Sequence, residues 1–186
     1  MERCACHGLG ANLSLMAPRA QTNLATGQPF DGDGFPERPP LWVLDTNVVL
    51  DWLLFQDAAM LAPSRRLMRG GAWWIATAAM QEEALEVATR NVFARRGAAL
   101  DRRERVASGF TRHATLLADP LPCHADTPAL RCADPDDQRF IDLALSRSAR
   151  LLLTRDKALL ALAAAARTRG LHILRPQDWA MPDAAG

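Results

Sequence analysis

Acidic residues recur in this chain where one structural element gives way to the next, and four of them are candidates for chemistry: Asp45, Glu83, Asp137 and Asp156. Asp45 leaves the apolar run Leu41-Trp-Val-Leu44, and Asp156 follows Leu151-Leu-Leu-Thr-Arg155. Glu83 falls in the second turn of a helical pattern opened by Thr77, and Asp137 ends the segment Asp134-Pro-Asp-Asp137 directly before another such pattern. Carboxylates crowded together repel, so one or more must hold a proton unless a cation occupies the gap. Asp and Glu without His or Cys offer only hard oxygen donors, the preference of Mg2+ or Mn2+. A cation held this way activates water and offsets charge on a phosphodiester, so the implied reaction is metal-dependent phosphodiester hydrolysis.

Each acid also has a structural reading. Asp45, Asp137 and Asp156 all precede helix starts, where a capping carboxylate contributes about 1 kcal/mol. Glu83 shares a helix side with Ala79 and Val87, whereas Glu82 and Glu86 read as surface charges. Asp142, embedded in Phe140-Ile-Asp-Leu-Ala-Leu145, is either an auxiliary ligand or the partner of a nearby Arg. It falls roughly 140 degrees around a regular helix from Asp137, so the two cannot face one ion equally. Asp137 therefore ranks first as the third acid, with Asp134 and Asp142 as alternatives.

These acids need a scaffold that brings them to one edge, and the hydrophobic pattern supplies one. Short apolar strands, Leu41 to Leu44, Ala72 to Ala76, Arg150 to Leu153 and Leu171 to Leu174, alternate with helical patterns, the signature of a mainly parallel sheet. Helices are expected over Val48 to Phe55, Ser64 to Met68, Thr77 to Arg96, Ala98 to Leu117, Asp137 to Arg147 and Lys157 to Arg167, with Val106, Phe110 and Leu117 as a buried stripe. In parallel α/β sheets ligands bind outside the carboxyl ends of the strands, and the four acids all fall at that edge. Residues 1–39, rich in Gly, Pro, Asn, Gln and Asp without periodicity, read as a disordered or loosely ordered extension, and 40–182 as one folded domain.

Composition narrows the class. A net charge of +1 favours neither a strongly basic nucleic-acid coat nor an acidic tail, and 21 Arg against a single Lys reflects coding bias before recognition. Cys4, Cys6, Cys123 and Cys132 make no persuasive disulfide framework, and Cys4-Ala-Cys6-His7 lacks a zinc-knuckle spacing. With no membrane-length apolar run and no signal peptide, the expectation is a soluble, cytoplasmic chain with no membrane partner. Arg95, Arg96, Arg102, Arg103, Arg105 and Arg112 form a basic stretch that either meets RNA phosphates or makes a solvated helix face with Asp101 and Glu104. Trp42, Trp73 and Trp74 read as core, and Trp52 as the lining of a partner groove.

Taken in order, Leu44-Asp-Thr-Asn-Val-Val49, Thr77 with Glu83, Asp134-Pro-Asp-Asp-Gln-Arg-Phe140 and Leu153-Thr-Arg-Asp-Lys-Ala-Leu-Leu160 resemble a PIN domain over about Leu41 to Trp179. More narrowly they are similar to VapC-like ribonucleases, the toxin components of bacterial toxin-antitoxin systems. No single motif is specific; four in order are. The resemblance implies a three-layer α/β/α Rossmann-like sandwich and a Mg2+- or Mn2+-dependent endoribonuclease site held by Asp45, Glu83, Asp137 and Asp156. It places Thr46, Asn47 and Thr154 as supporting polar residues, while Gln138, where many relatives extend the acidic run, leaves the third ligand open among Asp137, Asp134 and Asp142. It further implies an RNA substrate, a small cognate antitoxin whose tail enters the acidic site, and a homodimer. A non-catalytic PIN-like module that binds RNA or protein is the alternative, and retention of all four acids argues against it. A haloacid-dehalogenase-like phosphatase would need a second Asp where Asn47 stands.

Overall fold

The computed structural model describes residues 39–118 and 130–180. The chain divides into units of residues 1–34 and 35–186, and the described residues all belong to the second. The expected N-terminal extension, apart from its last residue, and Cys4, Cys6, His7 and Cys123 lie outside the described residues. Cys132 is a free thiol.

Five parallel strands make one sheet in the order β3-β2-β1-β4-β5. β1 (Leu41–Leu44) sits at its centre, flanked by β2 (Trp73–Thr77) and β4 (Leu151–Leu153), with β3 (Ala114–Leu117) and β5 (His172–Leu174) at the edges. The central strands are almost continuously apolar because both faces are covered, as parallel sheets require. Val43, Leu152 and Leu153 are fully buried. Register is set by pairs such as Trp42 with Trp74 on one side and Leu151 on the other, so that Leu44 lies level with Leu153.

Seven helices connect the strands among the described residues: α1 (Thr46–Leu50), α2 (Leu61–Met68), α3 (Ala78–Thr89), α4 (Ala99–His113), α5 (Gln138–Ser146), α6 (Lys157–Ala161) and α7 (Ala163–Arg167). Connections from β1 to β2 to β3 step one way along the sheet, whereas those from β3 to β4 to β5 step the other way. Right-handed crossovers therefore place α1 to α4 on one face and α5 to α7 on the opposite one, giving the three-layer sandwich. The direction reverses between β1 and β4, which makes the cleft outside their carboxyl ends the natural ligand position.

Several expected elements are revised. The helix expected from Thr77 to Arg96 stops at Thr89, because Arg90 is extended (φ −60°, ψ 141°), and a separate 3-10 turn covers Asn91–Arg96. The helix expected to reach Leu117 stops at His113, and Ala114–Leu117 is the edge strand β3. Leu117 thus belongs to the sheet, and α4 buries Arg102, Val106, Gly109 and Phe110 instead. Gly109 lets α4 pass against Leu53, whose side chain a β-carbon there would overlap. α1 begins at Thr46 and runs into a wider π-helical turn over Asp51–Phe55. Lys157 to Arg167 is broken at Leu162 into α6 and α7. Trp73, expected in the core, is 36% exposed on its strand, whereas Trp52, expected to line a groove, packs on Trp74 and His113 with ring centroids 5.8 and 5.0 Å away. No helix among the described residues is long and apolar enough to cross a membrane.

Candidate functional site

Asp45 is the first residue past β1, and its backbone N–H still pairs with the Leu153 carbonyl of β4 at 3.0 Å. That bond pins it at the point where the strand order reverses. Its extended backbone places it at the N-cap position of α1, yet its side chain makes no full cap hydrogen bond, the Asn47 N–H only coming near enough to favour its charge. Instead Oδ2 accepts a 2.8 Å hydrogen bond from the Thr154 hydroxyl, which in turn accepts from the Asp156 backbone N–H at 2.9 Å. Asp45 is 2% exposed. Burial raises its carboxyl pKa, the hydrogen bonds from Thr154 and the Asn47 backbone oppose that, and the nearby charges of Asp156 and Glu83 raise it further.

Asp137 lies at the N-cap position of α5 and likewise makes no side-chain cap. Burial and then the fields of Asp45, Asp156, Asp134 and Glu83 push its pKa up to about 6. Acids from four separate strand-to-strand connections thus share one cleft. Asp156 does cap, with Oδ1 accepting from the backbone N–H groups of Ala158 and Leu159 at 2.6 and 3.2 Å. Capping and membership of the cluster are therefore compatible, since only one carboxylate oxygen is engaged in the cap. Glu83 projects from α3, which Thr77 opens by accepting a 3.4 Å bond from Met80 N–H. Its Oε2 is buried without a hydrogen bond, although Arg139 Nη1 stands 3.5 Å away in ion-pair range. Thr46 is buried with an unpartnered hydroxyl, and Asn47 is exposed.

The remaining acids have other work. Asp142 Oδ1 accepts from the Gln138 side-chain amide at 2.8 Å, so its partner is not the Arg expected for it. Gln138 also donates to Leu130 O and accepts from Cys132 N, tying the incoming loop to the start of α5. Asp134 is exposed and closes an Asx turn on Asp136 N–H, while contributing to the field on Asp137. Asp51 and Asp57, unflagged by their spacing, grip Arg155 at 2.5 and 2.9 Å and so hold the segment between Thr154 and Asp156 against the turn after α1.

The basic stretch divides. Arg102 is 2% exposed, which removes it as a phosphate contact. Arg95, Arg103, Arg105 and Arg112 are exposed, and the side chain of Arg96 lies outside the described ones. Arg105 and Arg112 line an open cavity of about 520 Å3 together with Leu53, Asp101, Glu104 and His113, a wall of mixed charge that contains none of the four acids. Burial, followed by the charge of Arg112, lowers the pKa of His113 there.

The donor chemistry of the acidic cleft fits a hard divalent cation: oxygen donors only, two of the carboxyls with raised pKa, and one buried carboxylate oxygen without a hydrogen bond. Among the described residues no group of three or more His, Cys, Asp or Glu is arranged to hold an ion by itself. Mg2+ commonly takes one or two direct carboxylates and completes its shell with water, so the set suits partial, water-rich ligation.

The raised pKa values carry a stability consequence. A carboxyl that binds its proton more tightly folded than unfolded makes stability fall as pH rises between its unfolded and folded pKa values. For Asp137 that window runs from 3.8 to about 6. The melting temperature of EDTA-treated protein is therefore expected to carry a component that declines across this window. Mn2+, which needs ionised ligands, should restore it towards neutrality. A metal-free profile that rises throughout, or one unaffected by Asp137→Asn, would remove the coupling inferred for this group.

A PIN-domain family model matches residues 42–158. No curated protein matches the chain. The matched span runs from β1 to the first turn of α6 and takes in all four acids. PIN domains are generally nucleases and typically use divalent metal ions. A parallel sheet whose order reverses beside Asp45, an acidic cleft at that reversal and a family match over most of the folded unit agree, and the chain belongs to the PIN-domain family.

Proposed function

We propose that the protein is a divalent-metal-dependent endoribonuclease, the toxin component of a type II toxin-antitoxin system. What supports this reading is the placement of four acids at a strand-order reversal, with Asp45 and Asp156 joined through Thr154 and with Asp137, raised by burial and then by its carboxylate neighbours, beside them, a costly arrangement without a cation. Asp45, Glu83, Asp137 and Asp156 are the residues that would hold Mg2+ or Mn2+, with Asp134 and Asp142 as weaker candidates. Bound there, the cation would supply activation of water and neutralisation of charge on the phosphodiester.

The chain's own residues do the remaining work. Thr154 donates its single hydroxyl proton to Asp45 Oδ2 and so fixes how that carboxylate is held. Asp156, anchored through Oδ1, presents Oδ2. Asp137, whose pKa burial and the neighbouring carboxylates push up to about 6, is the acid whose ionisation a bound cation would favour most. Arg95, Arg105 and Arg112 are exposed cations for phosphate contacts along the RNA, and removing any one should lower the salt dependence of binding by about one contact. A small antitoxin whose tail enters the acidic cleft, and a homodimer, follow from the likeness to the toxin branch.

Purified protein incubated with a structured RNA should cleave internally with Mn2+ and stop on addition of EDTA. RNA or protein association indifferent to EDTA, with no cleavage under any divalent cation, would instead favour a binding module. A short reading frame immediately upstream that encodes a DNA-binding protein, and suppression of growth inhibition on co-expression, would test the toxin role.

A further inference from the structure

Arg139 lies one residue past the start of α5, two residues from Asp137, and its guanidinium reaches across to α3. Nε donates to the Asp136 carbonyl at 2.7 Å, which fixes the side chain's base, and Nη1 comes to 3.5 Å from Glu83 Oε2. This contact is an ion pair without a hydrogen bond: the facing oxygen is buried and has no hydrogen-bond partner. Both side chains are about one third exposed, so the pair faces the cleft and is not sealed in the core. An ion pair of this exposure and length contributes little and separates easily. Glu83 is at the same time one of the charges acting on Asp45 and Asp137. A cation taken by the acids competes with Arg139 for Glu83.

We propose that Arg139 is a substrate-binding residue of this site, kept beside Glu83 in the free protein and released to a phosphate oxygen of the bound RNA when a divalent cation engages Glu83. The inference rests on the nuclease reading. Its physical content is an exchange of partners that preserves charge balance. Glu83 trades a guanidinium for the cation, and the guanidinium trades a carboxylate for a phosphate, to which Arg presents paired N–H donors in a geometry Lys lacks. Because the guanidinium is one rigid plane, its terminal donors leave Glu83 only as Nε also turns away from or re-forms its bond to the Asp136 carbonyl, a short bond at the accessible start of α5.

The test compares wild type, Arg139→Gln and Arg139→Lys in three measurements. For cleavage of a short fluorescein-labelled single-stranded RNA with Mn2+, Arg139→Gln should raise KM by about 10-fold or more, the loss of one charge-assisted hydrogen bond, with kcat changed much less. Arg139→Lys should recover part of that loss. For Mn2+ binding followed calorimetrically without RNA, Arg139→Gln should bind somewhat more tightly, by up to about 5-fold, because Glu83 no longer has a competing cation. The slope of log KM against log salt should fall by about one phosphate contact. A residue that only braced α5 against α3 would weaken Mn2+ binding on removal and leave the salt slope alone, and that result overturns the proposal. Unchanged KM in Arg139→Gln, with wild type cleaving normally, overturns it while sparing the nuclease reading. A wild type that cleaves no RNA with Mn2+ overturns both.

Discussion

Replacing Asp45 by Asn is expected to give a folded protein that cleaves RNA at least about 10³-fold more slowly, a loss of about 4 kcal/mol of transition-state stabilisation. The two halves of that expectation come from one buried carboxylate. Asn has the same shape, and its amide oxygen can still accept the 2.8 Å hydrogen bond from Thr154, so the link between β1 and β4 survives. What disappears is a negative charge that burial already disfavours and that Asp156 and Glu83 disfavour further. Without metal, the variant should melt no lower than wild type. With Mn2+, the wild type should gain thermal stability by mass action and the variant should gain far less. Thermal melts with and without Mn2+, alongside cleavage rates, separate the roles: if Asp45 were chiefly a helix cap, the variant would lose stability and keep its activity.

The second large effect lies away from the cleft. Arg102→Ala should destabilise the fold by about 4 kcal/mol, read by urea unfolding, with a melting temperature lower by roughly 10 °C. Arg102 is buried at 2% exposure, and its guanidinium donates to the carbonyls of Ala88 at 2.7 Å, of Thr89 and Arg90 at 3.2 Å, and of Gly97. Ala88 and Thr89 belong to the last turn of α3, whose final carbonyls have no partner within the helix. One side chain from α4 thus terminates α3 from outside, where the partial negative charge of the helix end favours a cation. Gly97 supplies its carbonyl from a backbone at φ 106°, a region that L side chains rarely enter. Removing the guanidinium leaves several buried carbonyls without donors, the costly side of hydrogen-bond energetics. Arg102→Lys, which cannot span the same acceptors, should recover only part of the loss.

Arg102 also marks the boundary of what the chain discloses in one dimension. Arg within an Arg- and Glu-rich helix reads as solvated, and composition favours that reading. The available clue was its spacing, because Arg102, Val106 and Phe110 recur every four residues and share the buried stripe of α4. The four strand assignments, for β1, β2, β4 and β5, came within a residue or so of the observed bounds because parallel strands of this sheet are short apolar runs with sharp polar ends. β3 was missed because α4 passes into it with no Gly or Pro between, and an edge strand needs less apolar content to signal it. The acids were legible because type and position at an element's end suffice to nominate them. Whether a nominated carboxylate caps a helix or faces a cleft is a question of side-chain direction. The caps expected as structural readings of Asp45 and Asp137 are absent, and the one expected for Asp156 is present. Arg139, Asp51 and Asp57 carried no signal, since their partners lie across α3 or beyond β4 and only the tertiary fold pairs them.

The bond between Thr154 and Asp45 spans 109 positions of the chain. Synthesis delivers Asp45 early and β4 only after most of the remaining domain has left the ribosome, so the two halves of the cleft coexist only near the end of translation. Until then Asp45 lacks Thr154 and Asp156, the two partners that follow β4 in the chain. The centre of the cleft is therefore complete only once β4 lies beside β1, whatever the order in which the earlier elements form.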